Sequence, residues 1–366
     1  MSQEAWAALL PAPLQPQVAM RRRLWKLRYL LWLAIPLVLV WGLRHVPFSA
    51  IGTALSQLSP ASILALMLVN SVIFLLFSSR WWLILNALGY HLPYLSLVKY
   101  RLAAFAVSYF SPGTQFGGEP LQVYMVHDRH AVPGLVSVAA VTLDKLFEVL
   151  ANSTFLLVGL LVVLNQDLLA IQNRPKSLLA IAGLLALPLG YLLALWLGRF
   201  PLTGLVVRLP ARLAGYAPLK KISPAIVATE RQISTLFQHH PLLILWALLL
   251  SGLIWLLMLA EFWLTLRFLG QPLSLLQTIS VLTAARLAFL LPLPGGLGAL
   301  EASQVLAMQA LGLNPALGLS ASLLIRARDL SFGAVGLALA AAFTRRIAVR
   351  PAVEQLDPQS SVNDPG

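Results

Sequence analysis

Residues 291–301 read LPLPGGLGALE, and the way a chain can accommodate this stretch decides the fold. Two prolines and three glycines arrive together and are followed by Glu301, inside a long apolar run. Proline removes a backbone donor and clashes with the preceding turn, and glycine adds its entropic cost, so a continuous helix does not pass through. The whole chain is 366 residues, 59% hydrophobic and only 11% charged, with a mean hydropathy of +0.81. That composition belongs to an integral membrane protein. In hydrocarbon each unpaired backbone group costs several kcal/mol, so a broken stretch survives only where protein buries it or it lines a watery cavity.

The same pattern occurs twice. SPGTQFGGE (111–119) resembles LPGGLGALE (293–301), and Pro112 to Glu119 and Pro294 to Glu301 are both seven residues. Upstream, RLAAF from Arg101 answers RLAF from Arg286, and LGYHLPYLSL from Leu88 answers LGQPLSLL from Leu269. The offset is near 182 residues, the difference between 301 and 119.

A membrane-crossing helix needs roughly 20 mostly apolar residues, and six segments qualify: about 29–46, 61–79, 146–164, 178–198, 242–266 and 316–343. Two further stretches, about 95–125 and 275–312, are interrupted by Pro and Gly. Basic residues cluster before the first segment (Arg21, Arg22, Arg23, Lys26, Arg28), at Arg80, between segments four and five (Arg199, Arg208, Arg212, Lys220, Lys221, Arg231) and after the last (Arg345, Arg346, Arg350). The positive-inside rule puts all of these in the cytoplasm if each broken stretch enters and leaves on one side. The expected architecture is therefore an all-α polytopic membrane protein: six full spans plus two re-entrant hairpins, with both termini cytoplasmic. Repeats at about 60–165 and 241–344 are inverted, because their second spans differ by an odd number of crossings.

Pro112, Gly113, Gly117 and Gly118, with Pro292, Pro294, Gly295, Gly296 and Gly298, then mark two hairpin tips near the midplane, a construction used for alternating-access sites. Glu119 and Glu301 fall just after the breaks. An unpaired carboxylate at that depth costs about 2.5 to 3.5 kcal/mol, which a helix N-terminus and a cation offset in part; Arg101 and Arg286 are the candidate partners. The bland alternative is a pair of kinked spans with each Glu neutralised for packing. Asp144, Lys145 and Glu148 lie within little more than one turn, and Arg326 and Asp329 repeat the i, i+3 spacing beside Arg328. They line a headgroup path or form internal ion pairs near the interface. Glu261 shows no partner in the sequence.

Other features carry less. The net charge of +13 sits in loops between spans and reads as topology, not as nucleic-acid binding. There are no cysteines, which excludes disulfides and thiolate chemistry. HDRH (127–130) reads as a solvated turn, His239 and His240 as interface residues, and Trp81 and Trp82 as an aromatic belt. Segment 200–240 is either a set of interfacial amphipathic helices or a connecting loop. Residues 1–24 and 347–366 read as disordered tails flanking a membrane domain at 25–346, and the first apolar segment as an uncleaved span. No metal or other cofactor is expected.

From about 25 to 345 the chain resembles the transmembrane, flippase-like region of lysylphosphatidylglycerol synthases. The resemblance rests on RWWLILNALG (80–89), SPGTQFGGEPLQVYMV (111–126), LDK (143–145) and LPLPGGLGALEASQVLAMQALGL (291–313). It implies translocation of a lipid without the synthase activity, since only short tails follow the last span. Where the family often has Arg three residues after the first hairpin Glu, this chain has Gln122, and where it often has Glu-Arg this chain has Asp144 and Lys145. The headgroup is then an anionic phospholipid or a polyprenyl-linked lipid.

The expectation is a non-enzymatic flippase or scramblase of a prokaryotic cytoplasmic membrane. Glu119 and Glu301 bind or relay protons, Arg101 and Arg286 hold phosphate, and Asp144, Lys145 and Arg326 extend the path. Rival readings are a secondary transporter of a small polar solute and a partner subunit of a lipid-modifying enzyme; homodimerisation is left open.

Overall fold

The computed structural model describes residues 58–110, 117–165, 174–207, 217–291, 293 and 296–354, with Thr53 and Ser56 beside them. The expected span at 29–46, the basic run before it, the segment 208–216 and the breakers Pro112, Gly113, Pro292, Pro294 and Gly295 lie outside the described residues. Eleven helices and no strand are found among those described: α1 (Pro60–Ala87), α2 (Tyr94–Phe110), α3 (Glu119–His130), α4 (Gly134–Asn165), α5 (Arg174–Trp196), α6 (Pro201–Val207), α7 (Ala217–His239), α8 (Pro241–Phe268), α9 (Leu275–Ala288), α10 (Ala299–Ala310) and α11 (Pro315–Glu354). The protein is an all-α membrane protein, in which α1, α4 and α8 are each long and apolar enough to cross a bilayer.

Local chemistry sets many of the boundaries. Pro60, Pro241 and Pro315 open α1, α8 and α11, where the missing N–H has no intrahelical partner to lose. Ser59 caps α1 by accepting the Ser62 N–H at 3.1 Å, and Ser274 and Gln277 form a reciprocal capping box at the start of α9. Both broken stretches do break: α2 ends at Phe110 and α9 at Ala288, and helix resumes at Glu119 and Ala299. α4 begins at Gly134, well before the expected 146, and α11 runs on to Glu354, into the stretch from 347 that composition reads as disordered.

The repeat is visible in the backbone with an offset of 181, one less than the hairpin motifs suggest: Pro60 to Pro241, Tyr94 to Leu275 and Gly134 to Pro315 are each 181 apart. α1 and α8 close with the same turn. Gly89 and Gly270 take left-handed φ of 88° and 82°, and Trp82 and Trp263 each donate from Nε1 to the carbonyl ten residues on, Leu92 and Leu273. The offset rises to 182 across the hairpin motifs (112 + 182 = 294, 119 + 182 = 301), which locates one extra residue in the second break. Arg101 therefore corresponds to Leu282 (101 + 181) and Arg286 to Phe105 (105 + 181). Their apparent match is off by one helical turn, which keeps both on the same helix face.

The copies are inverted. On α1, Asn70 meets Glu261 and Arg80 meets Ser251 of α8, so residue numbers rise on one helix as they fall on the other. Two helices at equivalent sequence positions are antiparallel. The hairpins follow suit. Tyr100 and Arg129, at the mouth of the first, touch Phe343 late in α11, whereas α10 ends a short turn before Pro315 starts the same helix. The hairpins thus open at opposite ends of α11, and α2 packs along α11 as α9 packs along α4. Gly336 permits the first contact, since a Cβ there would overlap the Leu102 carbonyl of α2, and Gly159 the second, where a Cβ would overlap Thr283; Gly118 likewise lets the first hairpin close against Ala104 of α2.

The outer faces are apolar, with Leu64, Leu68, Leu245, Leu249 and Leu256 exposed, as helices in hydrocarbon require. Segment 200–240 is helical where described: α7 sinks Ile233, Leu236 and Phe237 into the core, and the buried Glu230 carboxylate accepts the Leu202 and Thr203 N–H groups at 2.9 Å each, capping α6. That overturns the reading of this segment as an ordinary loop.

Candidate functional site

Lys145 and Arg326 stand 11 residues into α4 and α11, about 16 Å from the helix starts at 1.5 Å per residue. They are equivalent positions (145 + 181 = 326), and each holds the glutamate after its own repeat's break. Lys145 Nζ is 3.3 Å from Glu119 Oε1, and Arg326 Nε is 2.9 Å from Glu301 Oε1. The pairing expected from sequence, Glu119 with Arg101 and Glu301 with Arg286, is not what forms. The reason is geometric: α3 returns against α4, and α10 against α11, so the cation comes from the following span.

Each carboxylate also secures its own turn. Glu119 accepts the Gly117 N–H and Glu301 the Gly298 N–H, both at 2.8 Å. Gly298 is at φ 78° and Gly296 at φ 66°, left-handed values that favour glycine. The two sites differ in exposure: the Glu301 side chain is 7% exposed and that of Glu119 25%.

A second pair of clusters uses equivalent positions, with the charge reversed at one of them and kept at the other. Arg80 corresponds to Glu261 (80 + 181) and Glu148 to Asp329 (148 + 181). Arg80 donates to Asp144 Oδ1 at 2.7 Å, to the Asp144 carbonyl at 3.1 Å and to Ser251 at 2.9 Å. Arg101 donates to the other oxygen of Asp144. In the second repeat Arg328 lies 3.4 Å from Glu261 and 2.9 Å from Asp329, and Asn70 receives Arg328 at 3.1 Å. Asn70 and Ser251 are themselves equivalent (70 + 181 = 251), so each repeat lends the other a hydrogen-bonding group.

These placements correct two expectations. Arg80 is 1% exposed and Trp81 wholly buried; neither is an interfacial anchor. Asp144, Lys145 and Glu148 lie well inside α4, which starts a dozen residues earlier than hydropathy suggests. Lys145 also bonds Glu148 at 2.9 Å. Glu261, which shows no partner in the sequence, finds Arg328 and Asn70.

Arg286 is the exception. Its guanidinium lies over Trp255 at 4.9 Å and reaches Met258 Sδ at 3.8 Å. It makes no ion pair within 4.0 Å among the described residues, and its buried Nε has no hydrogen-bond partner. Glu148, Glu261 and Asp329 lie within electrostatic reach of it, so both repeats converge on this cation. Tyr109, at the end of α2, closes the centre by accepting from Arg326 at 3.4 Å.

Arg80, Asn70, Ser251 and Tyr109 are the polar contributors that the sequence does not assign to the centre. The 181-residue offset alone would have flagged Arg80, whose counterpart is Glu261 (80 + 181). In HDRH, His127 bonds the Val132 carbonyl at 2.7 Å and His130 bonds Tyr100 at 3.1 Å. Burial, and then Arg129, hold His130 below the usual imidazole range.

The sequence pattern of the lysylphosphatidylglycerol synthase transmembrane region matches residues 29–336 of this chain. A UPF0104 membrane protein of Methanothermobacter thermautotrophicus is 23% identical over 282 residues, which cover 75% of this chain and 82% of that protein.

Proposed function

Since the chain belongs to the family of lysylphosphatidylglycerol synthase transmembrane regions, we propose that it moves a phospholipid or other lipid-linked headgroup across the membrane without altering it covalently. The observation that carries this reading is the pair of equivalent ion pairs, Glu119–Lys145 and Glu301–Arg326, at the breaks of two oppositely directed hairpins. An amphiphile needs such a polar lane inside an apolar exterior: its headgroup passes the charges while its tails stay in lipid. The end bearing α6, α7 and the basic connections faces the cytoplasm, in a prokaryotic cell membrane.

Each ionised group in the lane has a role set by its partners. Arg286, with no carboxylate in contact among the described residues, takes the phosphate. Glu119 and Glu301 let go of Lys145 and Arg326 in turn, so that a passing headgroup replaces one ion pair at a time and no charge is left bare. Arg101 is not free to hold phosphate, because Asp144 already engages it. Asp144, Arg80 and Ser251 instead hold α1, α4 and α8 together around the lane.

The test is lipid translocation in proteoliposomes, read as dithionite quenching of fluorescent phosphatidylglycerol and phosphatidylcholine. Wild type is expected to carry quenching past the half reached by empty vesicles, and the folded double variant Glu119→Gln, Glu301→Gln to fall back to that half. Wild type that never exceeds empty vesicles with either lipid overturns lipid movement, and uptake of a small polar solute would then be the better reading.

A further inference from the structure

Away from the polar centre, two cavities open beside the last turns of α1, the first between α1 and α7 and the second between α1, α8 and the start of α2. The first, about 540 Å³, is floored by Ala87 and Leu88 at the end of α1 and is rimmed by five polar residues, Arg231, Gln232, Thr235, His239 and His240. None of these five side chains makes a hydrogen bond or ion pair with a described residue. The nearest carboxylate in sequence, Glu230, points away and is spent on α6. The second cavity, about 380 Å³, is walled by Trp82, Leu83, Tyr94, Trp246 and Leu250, with Ser79 at its edge. Trp82 and Tyr94 pack edge to face at 6.3 Å, and their polar atoms are satisfied by the Leu92 and Leu75 carbonyls, so both present ring surface.

The cavities are continuous in direction. Leu83 and Ala87 are four residues apart on one stripe of α1, about 6 Å of rise, and α8 carries Trp246 below His240. Each volume is within or close to the ~300–1,000 Å³ range of small-ligand sites. We propose that together they bind an anionic phospholipid of the leaflet on the α7 side, with its phosphate at Arg231 and the two imidazoles and a tail in the aromatic groove. The groove argues for a lipid over a soluble anion: half of the site is apolar, and Trp82 and Trp246 are exposed on membrane helices.

The site is built on one side only. The counterparts of Tyr94 and Trp246 are Leu275 (94 + 181) and Ala65 (246 − 181), and α7 lies outside both repeats. The twofold construction of the polar centre does not extend to it, and a lipid held here occupies a single leaflet. This assignment does not rest on the transport reading.

The experiment is native mass spectrometry of the full chain in detergent, titrated with dioleoylphosphatidylglycerol and with dioleoylphosphatidylcholine. Arg231→Gln removes one cation from the site and is expected to weaken phosphatidylglycerol binding about fivefold while leaving phosphatidylcholine unchanged. Trp246→Ala should weaken both lipids. Arg231 is exposed, so its variant keeps the fold, and a monodisperse gel-filtration peak checks this. Undiminished phosphatidylglycerol binding by Arg231→Gln overturns the site. Loss of binding in Glu301→Gln in place of Arg231→Gln moves the lipid to the polar centre and also overturns it. Displacement by glycerol 3-phosphate at concentrations comparable to the lipid makes this a soluble-anion site and overturns the tail assignment.

Discussion

Asp144→Asn is the most informative single change, because one carboxylate serves two buried guanidinium groups. Asp144 is 4% exposed, Arg80 1% and Arg101 7%. Removing the charge leaves two cations in one pocket, and breaking a buried pair by deleting one partner costs about 3–5 kcal/mol. The asparagine oxygen still accepts one hydrogen bond, and Arg101 retains its positions 5.7 Å from the Phe77 ring and 5.8 Å from the Trp81 ring. These favour the lower end, about 3 kcal/mol. At roughly 2 °C per kcal/mol for a chain of this size, melting should fall by about 6 °C or more. Arg101→Met should fall by less, because Asp144 keeps both contacts with Arg80. Adding Arg101→Met to Asp144→Asn should restore part of the loss by removing one orphaned cation. The assay is tryptophan fluorescence on heating in detergent at one fixed scan rate, since such unfolding is often irreversible, and the ten tryptophans give ample signal. An Asp144→Asn protein melting within about 2 °C of wild type would refute the argument that this carboxylate neutralises a buried pair of arginines.

Glycine changes separate packing from propensity. Gly118→Ala should destabilise by about 1–3 kcal/mol or more, because its Cβ meets Ala104 backbone, whereas Gly252→Ala, with nothing within 4 Å, should stabilise α8 by about 0.5–1 kcal/mol; thermal melting of the two variants should move in opposite directions. The absence of cysteine makes topology directly testable: Arg199→Cys and Asn314→Cys, at opposite ends of the fold, should react with an impermeant maleimide from opposite sides of the membrane, and labelling from one side would break the inverted arrangement. Glu230→Ala should speed amide exchange across α6 at least tenfold, having removed the acceptor of the Leu202 and Thr203 N–H groups; unchanged protection there would show that the cap contributes nothing.

Composition and pattern determined a good deal. Hydrophobicity fixed the membrane as solvent, and that solvent forces helices wherever backbone is exposed to lipid. Pro and Gly at 111–118 and 291–298 said where helix must stop, and the recurrence of Pro-Gly before Glu119 and Glu301 disclosed the repeat. Those are local effects, carried by the backbone chemistry of individual residues, and they are legible without a fold. The partners of the charges were not. Nothing in the neighbourhood of Glu119 points to Lys145 over Arg101, nor beside Arg80 to Asp144 and Ser251, 64 and 171 residues away. Charge pairing inside a membrane is settled by which helices touch and at what height, and helix ends shifted by a dozen residues, as at Gly134, move a charge from the edge of a helix to well inside it. Sequence could name the ionised residues because each is costly in hydrocarbon; only the antiparallel packing of α1 on α8, and of each hairpin against the span that follows it, decided which of them neutralise one another and left Arg286 without a contacting carboxylate among the described residues.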